Sequence, residues 1–196
     1  MQTVQRMLDF YRPAALDRKP IDINVLIEKE LSLMGRQLKD HHIQVHSKLA
    51  AHLPYVFVVG DQIQQVLLNL ILNAMEAMSK NERSELFIES RTNLVGESPG
   101  AQVEIYIQDS GPGVPANERK HIFEPFVSTK AQGTGLGLAV SYGIITAHGG
   151  SLELVDYDPP ATNGLLTMRK GTQPADPQPV RRGACFRVSL PVAEST

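Results

Sequence analysis

The chain has 196 residues, of which 42% are hydrophobic and 20% charged, a soluble globular composition that fits one domain of ordinary size and excludes a disordered polymer. A formal net charge of −2 gives no global field to gather nucleic acid or anionic lipid, so no nucleic-acid partner is expected. The single cysteine, Cys185, excludes an internal disulfide and fits a reducing compartment, and no apolar run approaches the roughly 18 residues of a membrane span.

Met1–Tyr11 is amphipathic and contains Arg6 and Asp9, unlike a signal peptide. Its short apolar stripe, Val4, Met7, Leu8 and Tyr11, reads as the end of a longer helix, stopped by Arg12-Pro13. Asp22 or Asn24 then caps a second helix with Ile27, Leu31, Met34 and Leu38 on one face, and His41-His42 forms its solvated end. Ile43–Leu49 and Pro54–Val59 are expected as short strands on either side of a turn.

The strongest helical pattern runs from Asp61 to about Lys80, with Ile63, Val66, Leu67, Leu70, Ile71, Ala74, Ala77 and Met78 on a wide apolar face. Strands follow at Glu85–Thr92 and Gln102–Asp109, joined by a turn at 96–100. In the second, Val103, Ile105 and Ile107 alternate with Glu104, Tyr106 and Gln108, which predicts one buried face. A loop-rich stretch leads to an apolar helix, Leu136–His148, which is expected near the centre of the core and is stopped by Gly149-Gly150. Strands are expected at Ser151–Val155 and Cys185–Leu190. Residues 156–183 hold Pro159, Pro160, Pro174, Pro177 and Pro179 with little periodicity and read as a long mobile insertion. Mixed helices and strands without steady β-α-β alternation predict a two-layer α/β sandwich with a mixed sheet.

Three features carry chemistry. On the long helix, Gln62, Gln65, Asn69, Asn73 and Glu76 form a second stripe at steps of three or four. Asparagine is a poor helix-interior residue, so a pair at i and i+4 is either a set of locally satisfied amides or a source of hard oxygen ligands, suited to a magnesium ion that shares its shell with phosphates. Asp109-Ser110-Gly111-Pro112-Gly113 places a carboxylate at a strand end before a tight turn. It could accept a hydrogen bond from an exocyclic amine, although such residues also make ordinary loops. Gly133-Thr134-Gly135-Leu136-Gly137-Leu138 opens a helix, where free N–H groups bind phosphate. No GxxxxGK[ST] occurs, and the loop lacks the strand before it and the acidic residue after it that dinucleotide binding requires.

In this order, the three resemble the histidine-kinase branch of the family that also holds gyrase, the ninety-kilodalton heat-shock chaperone and mismatch-repair ATPases. Asn69-Leu70-Ile71-Leu72-Asn73-Ala74 is similar to the family's Asn motif, and the two glycine segments to its glycine motifs. Phe123-Glu124-Pro125-Phe126 with Ser128-Thr129-Lys130 resembles the phenylalanine motif of an ATP lid. Gln64-Gln65-Val66 and Glu76-Ala77-Met78 resemble the nitrogen- and oxygen-sensing kinases in particular. The likeness covers about residues 1–155 and resumes at Gly183–Pro191.

The resemblance implies a mostly antiparallel sheet covered on one face by helices, with a flexible lid. It implies the end of a dimerisation helix at 1–13 and an ATP-binding catalytic domain at 14–196. Asp109 would bind the adenine amine, with Gly111, Gly113 and Val114 near the base. Asn73 would coordinate magnesium, with Asn69 helping to hold the ion and the phosphates. Gly133, Gly135, Leu136, Gly137 and Leu138 would approach the phosphates. Phe126, Thr129 and Lys130 would belong to the lid, with Lys130 reaching the terminal phosphates, so that Asn69, Asn73 and Lys130 form the catalytic set. ATP and magnesium are the implied ligands. The implied partners are a dimerisation domain bearing the acceptor histidine and a response regulator, within a homodimeric parent. A cytoplasmic location is expected, with membrane anchoring of the parent left open.

Gyrase-type relatives carry a glutamate where Asn69 stands. An amide has no basicity with which to activate water, so the resemblance points to kinase chemistry over hydrolysis. His148 is expected to be a helix-end residue, and the chain is expected to lack its own phosphoacceptor. A silent nucleotide-binding module, a gyrase- or chaperone-type ATPase and an anti-sigma serine kinase are the rivals. Gly183-Ala184-Cys185-Phe186 departs from the family's Gly-Thr-x-Phe and lacks a hydroxyl that would support the aspartate.

Overall fold

The computed structural model describes residues 18–79, 84–93, 101–127, 134–156 and 183–193. The terminal helix expected at 1–13, the turn at 96–100, Ser128, Thr129, Lys130, Gly133 and nearly all of the insertion at 156–183 lie outside these residues. Among them the order is β1 (Lys19–Ile21), α1 (Ile23–Asp40), β2 (Ile43–Leu49), β3 (Val56–Val58), α2 (Gly60–Met78), β4 (Ser84–Asn93), β5 (Gln102–Asp109), α3 (Gly137–Ala147), β6 (Ser151–Leu154) and β7 (Cys185–Pro191).

Asp22 is the cap of α1: its Oδ1 accepts from Asn24 N at 2.9 Å, satisfying a first-turn donor. The buried face of α1 is Ile23, Leu26, Ile27, Met34 and Leu38, with Glu30 in the same stripe; Leu31 is only partly buried. In α2 the apolar stripe from Ile63 to Met78 is buried, including Leu67, Leu70 and Ile71 at 1% exposure or less, except that Ala77 is only partly buried and Met75 is buried as well.

The main sheet has the order β2-β4-β5-β7-β6. Its pairs are antiparallel except β2 with β4, whose parallel register requires a crossover, and α2 lies within that connection. Leu86, Ile88, Val103, Ile105, Ile107, Leu152, Val188 and Leu190 join the helices in one apolar core. This is the expected two-layer sandwich, with the helices packed on one face of the sheet.

Three local expectations change. β2 and β3 do not form a hairpin; β3 pairs instead with β1, in a separate two-stranded sheet. Second, α3 is less central than its apolar run implies, since its buried residues are Ala139, Ser141, Ile144 and Ile145. Third, β5 is buried on both faces: Glu104, Tyr106 and Gln108 are 2%, 3% and 4% exposed.

The cause of that burial is a polar layer across the second face. Lys48, Glu89, Tyr106, Arg187 and Glu153 stand in one cross-strand row. Lys48 pairs with Glu89 at 3.6 Å and Arg187 with Glu153 at 2.6 Å. In the next row Arg91 Nε donates to Glu104 Oε2 at 2.8 Å, and its guanidinium lies 4.4 Å from the centroid of the Tyr106 ring. Long charged side chains thus lie over their neighbours and exclude water. Burial raises the carboxyl pKa of Glu104, but hydrogen bonds from Arg91, Tyr106 and Asn93 outweigh it and hold the group below its ordinary value.

His148 closes α3. Its Nδ1–H donates to Ile144 O at 2.8 Å, and its Nε2 accepts from Val59 N at 3.1 Å, which fixes the neutral tautomer. Both nitrogens are engaged and the residue is 3% exposed, as suits a helix-end residue. Arg18 Nη2 donates to Ala147 O at 2.6 Å, placing a cation at the negative end of α3.

Burial holds the His148 pKa below 6.5, with Arg18 acting the same way and the bond to Ile144 opposing them. Below pH 6.5 the unfolded chain therefore binds a proton that the folded chain refuses. This contribution to stability is fully present above 6.5 and is lost as pH falls from there towards the lowered native value. Thermal unfolding between pH 7.5 and 5.5 is expected to show a drop in midpoint that His148→Gln reduces; an unchanged slope in the variant would contradict it.

Candidate functional site

The end of β5 and the start of β7 are joined around one carboxylate. Asp109 N donates to Ala184 O and Gly183 N donates to Asp109 O, each at 3.0 Å. The Asp109 side chain is 4% exposed, and its Oδ1 accepts from Gly111 N at 2.7 Å and from Ala184 N at 3.3 Å. Two backbone donors thus fix the orientation of the carboxylate at the wall of a cleft.

Glycine is required at both sides of this clamp. A Cβ on Gly183 would stand 1.9 Å from Asp109 Oδ1 and 2.6 Å from Gly111 N, and one on Gly111 would stand 2.8 Å from the same oxygen. Ser110 lies beneath, its Oγ accepting from Glu85 N at 2.9 Å.

The opposite end of the cleft is where α2 meets α3. Asn69 Nδ2 donates to Gly137 O and to Ser141 Oγ, both at 3.3 Å, and Ser141 Oγ donates to Gly137 O at 2.8 Å. The Asn69 amide nitrogen is therefore committed to the first turn of α3. Leu136, the cap residue of α3, offers no side-chain acceptor, so the first-turn N–H groups lack that partner and form a site suited to an anion.

Residues before α3 complete the wall. Phe123 packs against Tyr142 and Phe186, with ring centroids 5.5 and 6.4 Å away. Phe126 has φ 67° and is 67% exposed, held in this conformation by its N–H to Gly135 O at 3.0 Å. Gly135 has φ 65°, and a Cβ there would fall 2.6 Å from Phe126 C.

A cavity of about 320 Å³ lies between these elements. Of the residues expected from sequence, Asn69, Asn73, Asp109, Gly113, Val114, Gly135, Gly137 and Leu138 line it. Gly111 stands behind Asp109, while Leu136 and Phe126 are not among the lining residues. Thr129, Lys130 and Gly133 lie outside the described residues. The wall also holds Glu76, Glu118, Ile122, Thr134, Ala184 and Phe186, to which no role was assigned from sequence. Ala184 and Phe186 were visible only as part of the Gly183–Phe186 segment. Glu118 and Ile122 stand in a turn-rich stretch without periodicity, which gave no signal.

Cys185 is next to Asp109 in space but is no nucleophile. Burial, with the Asp109 charge adding to it, pushes its thiol pKa up to about 12.

The arrangement has relatives. Residues 58–194 match the family described as histidine kinase-, DNA gyrase B- and HSP90-like ATPases. The chain belongs to that family. It is 32% identical over 177 residues to the sensor histidine kinase ZraS of Escherichia coli K12, covering 90% of this chain and 36% of that protein. With the sensory histidine kinase/phosphatase NtrB of Rhizobium meliloti it shares 32% over 189 residues, 92% of this chain and 49% of the other. It thus spans between about a third and a half of these relatives. Among solved structures, the nucleotide-free catalytic domain of histidine kinase ThkA is similar at a TM-score of 0.68 and 25% identity, over 90% of this chain and 97% of that one. Full-length ShkA in complex with AMPPNP is similar at 0.66 and 25%, over 92% and 32%.

The Asp109 clamp makes a specific demand on this family member. Gly183→Ala is expected to push β7 away from Asp109 and to cost about 1–3 kcal/mol of stability, the usual penalty of an overpacked interior. Chemical denaturation measures it, and a midpoint equal to that of the parent chain would contradict the clamp.

Proposed function

We propose that this chain is the ATP-binding catalytic domain of a two-component sensor kinase, which gives the γ-phosphoryl group of ATP to a histidine on a dimerisation domain for relay to a response regulator. The observation that carries the reading is the cavity itself. A fixed carboxylate stands at one end, and two asparagine amides with the open start of α3 stand at the other.

Each end suits one part of ATP. Two backbone N–H groups hold Asp109 Oδ1 and orient the carboxylate at the cavity wall, where it would accept from the adenine amino group. Gly113 and Val114 line the cavity beside the base. The first turn of α3, with Gly135, Gly137 and Leu138, would receive the phosphates. Lys130 and Thr129 would contribute from the lid.

The donor set fits magnesium. Asn69 and Asn73 offer neutral amide oxygens at the phosphate end, and among the described residues no group of three His, Cys, Asp or Glu forms a cage. A hard ion that takes few protein ligands and shares phosphate oxygens suits such a site. Held by Asn73 with help from Asn69, magnesium would neutralise charge on the leaving and transferring groups.

The rest follows from what Asn69 is. Its amide cannot take a proton from water near neutral pH, so water at this position gains no general base and the phosphoryl group is kept for an imidazole acceptor. The parent would be a homodimer whose catalytic part faces the cytoplasm.

Labelled ATP, magnesium and a separate dimerisation fragment bearing the acceptor histidine test the reading. Acid-labile label on the fragment is expected; rapid phosphate release without transfer would instead identify a hydrolase, and binding with neither a silent module. Asn73→Ala is expected to weaken magnesium-dependent ATP binding by about tenfold or more, since a charge-assisted contact contributes at least that much. Unchanged affinity would make the asparagine stripe structural.

A further inference from the structure

Ser141 is 0% exposed and is not among the residues that line the cavity, yet it is one of two groups that hold the Asn69 amide. It stands on α3 one turn after Gly137. Its hydroxyl donates back to Gly137 O at 2.8 Å, the i−4 bond open to a serine in any helix. That bond uses the only hydrogen of the hydroxyl, so Oγ has lone pairs alone to offer α2. One of them accepts from Asn69 Nδ2 at 3.3 Å. Gly137 O, a carbonyl and equally without a hydrogen, accepts from the same nitrogen at 3.3 Å.

The two ends of an asparagine amide have nearly the same shape, so the neighbours decide which end faces them. Here both neighbours are acceptors. Turning the amide over would set Oδ1 against two oxygens, one of them on a serine that water does not reach, and that loss is costly. The amide nitrogen has two hydrogens and meets two acceptors. Oδ1 is then the polar atom that Asn69 has left for the cavity it lines. A free amide N–H would suit a phosphate oxygen. An amide oxygen has no hydrogen to give a phosphate, but it suits a hard cation or a water in the shell of that cation.

We propose that Ser141 is a positioning residue for the cation: it fixes the Asn69 amide so that oxygen and not nitrogen faces the nucleotide, and Asn69 thereby serves magnesium rather than the phosphate oxygens. The inference rests on the proposed ATP site and names what orients one of its ligands. Without the hydroxyl, one amide hydrogen loses its acceptor and Gly137 O loses a donor. The amide would then be held by a single bond and free to turn.

Two measurements test it, one of them independent of the nucleotide. In the nucleotide-free chain, the Asn69 side-chain amide hydrogens are expected to exchange with solvent about fivefold faster in Ser141→Ala, the worth of one neutral hydrogen bond. Equal exchange rates would overturn the hold itself. Calorimetric titration with ATP, in chelator and in magnesium, then gives the gain in affinity that the ion brings. Ser141→Ala is expected to lower that gain about fivefold while binding in chelator stays within about twofold of the parent. Ser141→Thr, which keeps the hydroxyl, is expected to retain the gain within about twofold. An unchanged gain in Ser141→Ala would overturn the positioning role alone. Equal weakening with and without magnesium would also overturn it, since a merely structural serine would act on both. No magnesium-dependent ATP binding by the parent chain would overturn the underlying site, and the proposal with it.

Discussion

The site depends on the junction between the end of β5 and the start of β7. There the backbone holds Asp109: its N–H and C=O pair with Ala184 and Gly183, and its Oδ1 takes N–H groups from Gly111 and Ala184. A buried carboxylate is costly unless its lone pairs are satisfied, and donors that are part of the sheet do so without side-chain entropy. The same bonds close the sheet and aim the carboxylate. That is why both flanking positions must be glycine, and why the missing threonine hydroxyl at Ala184 leaves the clamp intact.

A second pair of contacts sets the width of the cleft. α2 and α3 are joined at one end by Asn69 to Gly137 and Ser141, and at the other by the Val59 N–H to His148. Val59 is the cap residue of α2 and Asn69 stands midway along it, so both ends of α3 are tied to the first half of that helix. With Asp109 fixed by the sheet and the start of α3 fixed by Asn69, the distance between that carboxylate and that helix start is built into the fold. The residues on which a bound nucleotide would rest then need little rearrangement to receive it.

Much of this was legible in the chain. The stripe of α2 repeats over nineteen residues, long enough for a 3.6-residue period to show both the apolar face and the line of Asn69, Asn73 and Glu76. Asp109 was legible because an alternating strand ends there against a glycine turn. Other features were not, for physical reasons. β1 has three residues including Pro20, too few for any period, and its partner β3 is set by tertiary packing. The alternation of β5 marked its faces correctly but missed that Arg91 and Arg187 lie over Glu104 and Tyr106, since cover by long side chains from neighbouring strands leaves no trace in the strand itself. Gly183 was noted only as part of a motif. Its reason is contact with Asp109, far away in sequence, and that becomes visible only once β7 lies beside β5.

The central claim is that the Asp109 carboxylate, oriented by the backbone, would read the exocyclic amine of the base. Inosine triphosphate replaces that amine with a carbonyl and places a hydrogen on the adjacent ring nitrogen. Equilibrium binding of ATP and inosine triphosphate to the chain, with magnesium, tests the claim directly. A preference for ATP of at least about tenfold is expected, because two acceptors would otherwise face each other in a buried site. Equal affinity for the two would contradict it.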